Sequence, residues 1–143
     1  MTNVAHLLHA KGPAVWSIPP DASVYDAIKL MADKEVGALL VIDAQRLVGI
    51  VSERDYARKV ILQGKSSKDT PVREIMTDKV FYVHPEQSVE DCMALMTAKR
   101  IRHLPVLDNG QLVGVVSIGD LVKALLSDQE VRIQQLEQYI MGR

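Results

Sequence analysis

The chain has little to suggest chemistry. It carries one cysteine, Cys92, among 143 residues. A single thiol cannot close an internal disulfide, which fits a reducing, cytoplasmic setting. Charge of either sign is not in excess: 17 Lys+Arg stand against 18 Asp+Glu, for a net −1 at pH 7. That balance gives no basic face for nucleic acid or a membrane surface. No stretch reaches the about 18 consecutive apolar residues of a membrane-spanning helix, and Met1 to Ala10 lacks the charged start and apolar core of a secretory signal. Also missing are a glycine-rich phosphate loop, a Ser/His/Cys catalytic set and metal-ligand spacing; His6, His9 and His84 fall at no such spacing. The expectation is a non-enzyme.

What is present is a repeat. Pro20-Asp-Ala-Ser23-Val24 returns as Pro85-Glu-Gln-Ser88-Val89, a shift of 85 − 20 = 65 residues. The register holds without a gap as far as Tyr56 and Leu121, through identities that include Asp26/Asp91, Leu39/Leu104, Gly49/Gly114, Ser52/Ser117 and Asp55/Asp120. Upstream, Val15-Trp-Ser-Ile18 falls on Val80-Phe-Tyr-Val83. Two copies favour a closed pair over a solenoid, which needs more units to stack. The expected domains are 5–66, 67–127 and a helical extension, 128–143.

Local signals give each copy the order strand, helix, strand, strand, helix. Ser23-Val-Tyr-Asp26 and Ser88-Val-Glu-Asp91 have the form of a helix capping box. Val24, Ala27, Ile28 and Met31 then recur at helical spacing, as do Val89, Cys92, Met93 and Met96. Cys92 thus takes the place of Ala27 as a small buried residue, a setting that gives a thiol no activation. Ala38–Ile42 and Leu47–Val51, like Leu104–Leu107 and Gln111–Val116, are nearly all apolar, which predicts strands covered on both faces. Asn109-Gly110 predicts a two-residue hairpin turn. A helix is expected from Ser52 to about Gln63, a polar linker over 64–71, a short helix over residues 3–11 ended by Gly12-Pro13, and a last helix from Gly119 to about Met141. Ile133, Leu136 and Ile140 form an apolar stripe on that extension, suited to packing or a dimer contact.

The junctions Leu47–Asp55 and Leu112–Asp120 stand out. In each, an apolar strand with one glycine ends in a serine, and an aspartate follows three residues later. A helix start presents unpaired N–H groups and partial positive charge, which suits a phosphate. Ser-x-x-Asp is equally a plain capping box, as at Ser23 and Ser88, and both readings stand at this point.

The tandem units, with Arg102-His-Leu-Pro-Val-Leu-Asp108, Gly114-Val-Val-Ser-Ile-Gly-Asp120 and Ile75-Met-Thr77, resemble a pair of cystathionine-β-synthase (CBS) domains, the Bateman module. The likeness covers about residues 5–127, so the expectation is a stand-alone pair without an attached catalytic domain. It implies an α/β (α+β) fold of two pseudo-symmetric β-α-β-β-α repeats packed sheet to sheet with flanking helices. It implies a homodimer and a regulatory module that binds AMP, ADP, ATP or NAD(H), in some members S-adenosylmethionine, in the cleft between the repeats. Such a module is an energy or redox-state sensor acting on a partner protein that the sequence does not name.

The resemblance also implies site residues. Asp55 with Ser52, and Asp120 with Ser117, would hold ribose and phosphate. The sites cross over, so that Asp55 works with Arg100, Arg102, His103 and Pro105, and Asp120 with Val36, Gly37, Ala38 and Leu40. Val15, Ser17, Val80 and Tyr82 would line the base pockets. Arg54 beside Asp55 has no counterpart beside Asp120, where Ile118 and Gly119 stand, so the Asp55 site is expected to take more phosphate charge. Each assignment has a plainer companion. Arg100 and Arg102 also suit a solvated helix end, His103 a structural role, and Trp16 and Phe81 packing before base stacking. The alternative function is a ligand-free dimerisation or protein-interaction module.

Overall fold

The computed structural model describes residues 2–12 and 14–141. Among them are five α-helices and two small sheets, in two compact units. One unit is Val15–Phe81. The other joins the chain on either side of it, up to Ala14 and from Tyr82 onward.

In the Val15–Phe81 unit, β1 (Ser17–Ile18) lies parallel to β2 (Ala38–Asp43), which pairs antiparallel with β3 (Arg46–Ser52). Thr77 adds one bridge beyond β3, exchanging both backbone hydrogen bonds with Ile50 at 3.0 and 2.9 Å. Helix α2 (Val24–Lys34) starts at Ser23, whose side chain accepts from the Asp26 N–H, and buries Val24, Ala27 and Met31. It covers a core with Ile18, Leu39, Val41, Val51 and Val60. The hairpin turn is made by Ala44 and Gln45, both at positive φ (49° and 68°). This is the backbone of a two-residue primed turn, built without glycine. The helix expected to run on from Ser52 is α for one turn only, α3 (Glu53–Tyr56), then widens to a π-helix over Ala57–Ile61. The polar linker is held down: Val24 N–H donates to the Thr70 carbonyl, Tyr25 N–H to that of Ser67, and the buried Thr70 hydroxyl to that of Ser66.

The other unit repeats this plan. β4 (His103–Asp108) and β5 (Gln111–Ser117) form a hairpin closed by Asn109 and Gly110, at φ 52° and 79°. The first strand of this repeat is reduced to one parallel bridge, Val83 to Val106. α4 (Val89–Lys99), capped by Ser88, buries Val89, Cys92 and Met96. The last helix, α5 (Ile118–Met141), sets Leu121 in the core with Ala124 and Leu125 packed beside it. Gly142 and Arg143, like Pro13, lie outside the described residues.

In both hairpins the inner strand is buried on both faces at its centre, as the apolar runs predict: Leu39, Leu40 and Val41, and Leu104, Pro105 and Val106. β3 and β5 keep only alternate positions buried, Gly49 and Val51, Gly114 and Val116.

The packing units do not follow the sequence repeats. The segment before each repeat packs with the other one. Helix α1 (Val4–Lys11) puts Val4 and Leu7 into the core of α4, β4 and β5. Val72 and Ile75, ahead of the second repeat, enter the core of the first. Burying such a side chain is worth about 1.5–3 kcal/mol, so each exchanged segment is a real part of its core. Each clamps the start of a helix: Val4 N–H donates to the Gln87 carbonyl and Val89 N–H to that of Thr2, while Val72 N–H donates to the Ala22 carbonyl and Val24 N–H to that of Thr70.

Candidate functional site

The two Ser–Asp junctions are built alike. At the first, the Ser52 hydroxyl accepts from the Asp55 N–H at 3.2 Å, and an Asp55 carboxylate oxygen accepts from the Ser52 N–H at 3.0 Å. At the second, the Asp120 N–H donates to the Ser117 hydroxyl at 3.1 Å and the Ser117 N–H to Asp120 Oδ2 at 2.8 Å. Both are therefore capping boxes in their own right. Each helix start is also tied to the strand beside it: Glu53 N–H donates to the Gly37 carbonyl and Ile118 N–H to the Arg102 carbonyl, at 3.1 and 2.8 Å. Strand register sets Ala38 opposite Ser52 and His103 opposite Ser117.

Each junction also carries a lysine that the sequence reading did not select. Lys59 Nζ lies 3.4 Å from Asp55 Oδ1, one turn along the same helix, and donates to the Ile75 carbonyl at 2.9 Å. Lys11, at the end of α1, donates to Asp120 Oδ2 at 2.7 Å and to the Val115 carbonyl at 2.9 Å. The Asp120 junction therefore has its own cation, brought in by a helix far away in sequence. A signal for it exists. Thr2, Val4 and Leu8 correspond in packing to Thr70, Val72 and Met76, an offset of 76 − 8 = 68 rather than 65. At that offset Lys11 matches Lys79, and Gly12-Pro-Ala14 is a three-residue insertion that breaks the sequence register.

These contacts set the electrostatics. Burial pushes the Asp120 carboxyl up, but hydrogen bonds from Lys11 and Ser117 outweigh it and hold the group below its ordinary value. Burial, the Lys11 ammonium and Arg102 together pull His103 below the ordinary histidine range, against an opposing pull from Asp120. His103 is thus biased toward its neutral form.

Other expected residues take varied places. Val36, Gly37, Ala38, Ser52, Arg54 and Asp55 gather at one end of the first hairpin, and Arg102, His103, Ser117, Ile118 and Asp120 at the same end of the second. Arg100 is the left-handed C-cap of α4 at φ 56°, as its match Glu35 is for α2 at φ 55°. Leu40 and Pro105 are buried, and Ile118 packs on its core. Ser17 pairs with Leu40 in β1, half-buried Val15 precedes it, and exposed Tyr82 meets the His84 ring edge-on at 5.5 Å. Val80 falls in one compact unit and Tyr82 in the other. The Trp16 ring holds Lys34 Nζ 4.5 Å from its centroid.

The doubled unit has a known counterpart. A family model for the CBS domain matches twice, over residues 12–61 and 72–127. The chain belongs to the CBS-domain family. It is similar to the mitochondrial CBS domain-containing protein CBSX3 of Arabidopsis thaliana, 43% identical over 151 residues, covering 99% of this chain and 73% of that protein. Its fold is similar to that of a CBS-domain protein from Burkholderia ambifaria, 59% identical, with a TM-score of 0.87 over 90% of this chain and 96% of the other. It is also similar to a CBS domain pair solved in complex with 5′-methylthioadenosine and S-adenosyl-L-methionine, 25% identical, with a TM-score of 0.79 over 90% of this chain and 98% of that one. Among the described residues, no helix is long and apolar enough to cross a membrane.

Proposed function

We propose that this CBS pair is a non-catalytic regulatory module whose Ser–Asp junctions take an adenosine-containing ligand, namely AMP, ADP, ATP or NAD(H). One observation carries the reading. The same strand-to-helix corner is built twice with matching hydrogen bonds, in a chain related to a CBS pair that binds two adenosine compounds. Asp55 and Asp120 accept the ribose hydroxyls, a charge-assisted contact worth about 1.5–3 kcal/mol. Ser52 and Ser117, at the helix starts, lie toward the phosphates. Lys59 and Lys11, already at the carboxylates, offset phosphate charge, with Arg54, Arg102 and His103 on the same hairpin ends. Gly37 and Ala38 present backbone rather than bulk to a flat base. The output is a ligand-dependent change in the module, and a ligand shifts such an equilibrium only by its differential affinity for the two states.

A second reading rests on a specific observation. Both carboxylates are already engaged, Asp55 by Ser52 and Lys59, Asp120 by Ser117 and Lys11. A chain whose junctions are closed in this way serves as a constitutive dimerisation or docking module. Isothermal titration and thermal unfolding with AMP, ATP, NADH and S-adenosylmethionine separate the two. The regulatory reading expects heat and a stabilisation of about 2.7 kcal/mol at a hundredfold excess over Kd. It also expects Asp55→Asn or Asp120→Asn, which keep a cap acceptor, to weaken binding on the order of tenfold to a hundredfold. No heat and no shift with any of the four ligands overturns it in favour of the second reading.

A further inference from the structure

Helix α5 outruns its counterpart and carries two apolar stripes. The first, Leu121, Ala124 and Leu125, covers the core of its own unit. The second is Val122, Leu126, Gln129, Ile133, Leu136 and Ile140, whose steps are 4, 3, 4, 3 and 4 residues (126 − 122, 129 − 126, 133 − 129, 136 − 133, 140 − 136). Its apolar members are 43, 60, 52, 62 and 59% exposed. Every residue from Gln129 to Ile140 is exposed. A helical segment of about a dozen residues with so little packing is marginal in water, so its order calls for a partner surface.

We propose that the second stripe zips to the same stripe of a second copy of this chain, parallel and in register, as a short two-stranded coiled coil. Alternating steps of four and three keep a seam on one face every 3.5 residues, the repeat of a left-handed coil. With Leu126, Ile133 and Ile140 at the a positions, Val122, Gln129 and Leu136 fall at d. β-branched Ile133 and Ile140 at a with Leu136 at d are the choices that favour two parallel strands. Gln129 sets the register. Aligned, the two glutamine amides meet and hydrogen-bond each other; slipped by a heptad, each is pressed against apolar side chains.

Charge sets the direction. Arg132 takes a g position and Glu137 the e position of the next heptad, five residues on. In a parallel pair g of one helix faces that e of its partner, giving two symmetric Arg–Glu contacts across the seam. In an antiparallel pair g faces g and e faces e, which sets like charges together. Residues five apart on one helix are not neighbours, so the pairing has meaning only between chains.

The test is charge reversal in the full chain, read by sedimentation equilibrium, with cysteine cross-linking alongside. Arg132→Glu or Glu137→Arg is expected to weaken association on the order of tenfold, two exposed pairs having turned repulsive. The double reversal is expected to restore it. In a Cys92→Ala background, Leu136→Cys at the seam is expected to form a disulfide-linked dimer under mild oxidation, and Gln138→Cys on the outer face is not. A double reversal that fails to rescue, equal cross-linking at both positions, or no linkage at Leu136→Cys overturns the proposal. So does association unchanged by Ile133→Glu with Leu136→Glu, which would mean another surface holds the copies. None of these readouts depends on a nucleotide.

Discussion

Met76 lies across Gly49: its Sδ is 2.6 Å from where a β-carbon on Gly49 would stand, and the Thr77 carbonyl oxygen is 3.0 Å from the same point. The other unit has the same arrangement in Leu8 and Gly114, with Leu8 Cδ2 at 2.6 Å. The glycine in each junction strand is there because the exchanged segment crosses it. Gly49→Ala is therefore expected to destabilise by about 1–3 kcal/mol in chemical denaturation. Gly114→Ala should cost less, and Leu8→Ala should relieve it, because only a side-chain end is in the way. Met76→Ala should relieve Gly49→Ala only in part, since the Thr77 backbone is fixed by its bridge to Ile50. Equal effects at the two glycines would contradict this account.

Asp120 gives the fold an acid limit that depends on Lys11. A carboxyl whose folded-state pKa lies below its ordinary 3.8 contributes stability that is complete above that value and is lost as pH falls through the lower one. Lys11→Met removes much of the lowering. Stability below about pH 4 should then fall less steeply than in the unaltered chain, although the variant is less stable at pH 7. Matching slopes of unfolding free energy against pH would rule out the Lys11 contact as the cause.

His103 titrates in a higher window. Its folded-state pKa is below the ordinary 6.5, so its contribution is present above that value and is lost as pH falls through the lowered one. Removing the Lys11 ammonium should move the His103 pKa up toward 6.5, visible as a shifted midpoint in an NMR titration of the imidazole. An unmoved midpoint would mean that Lys11 is not among its causes, leaving burial and Arg102 to lower it.

Cys92 is buried and its thiol is pushed up to about 11, by desolvation first and then by Asp91. It should resist a disulfide reagent in the native chain and react fully once unfolded. Cys92→Ala copies the residue at the matching position, Ala27, and should cost little. Rapid native labelling would show that α4 opens more readily than its packing implies.

Much of the fold was legible. Local chemistry fixed the caps, because a serine side chain and an acid three residues on satisfy helix-start N–H groups whatever surrounds them. Asn109-Gly110 announced its turn by residue type, while the turn over Asp43–Arg46 followed only from its place between two apolar runs, since neither Ala44 nor Gln45 marks positive φ. The strand expected at Val80–Val83 became a single bridge. Lys11 was missed because a three-residue insertion hides its segment from the repeat register. The heptad on α5 was visible only as three of its six members, because its upper half overlaps the stripe that covers the core.

The sequence by itself determined two copies of one unit, their helices, hairpins and Ser–Asp junctions. These are properties of short-range spacing and side-chain chemistry, which a linear chain displays openly. The tertiary structure alone decided which core each copy completes. Val4 and Leu7 pack with the second repeat, and Val72 and Ile75 with the first. Val4 matches Val72, and Leu7 and Ile75 are apolar alike, so local side-chain chemistry does not say which core takes which segment. That choice is made by chain direction and long-range packing, and it is what carries Lys11 to Asp120.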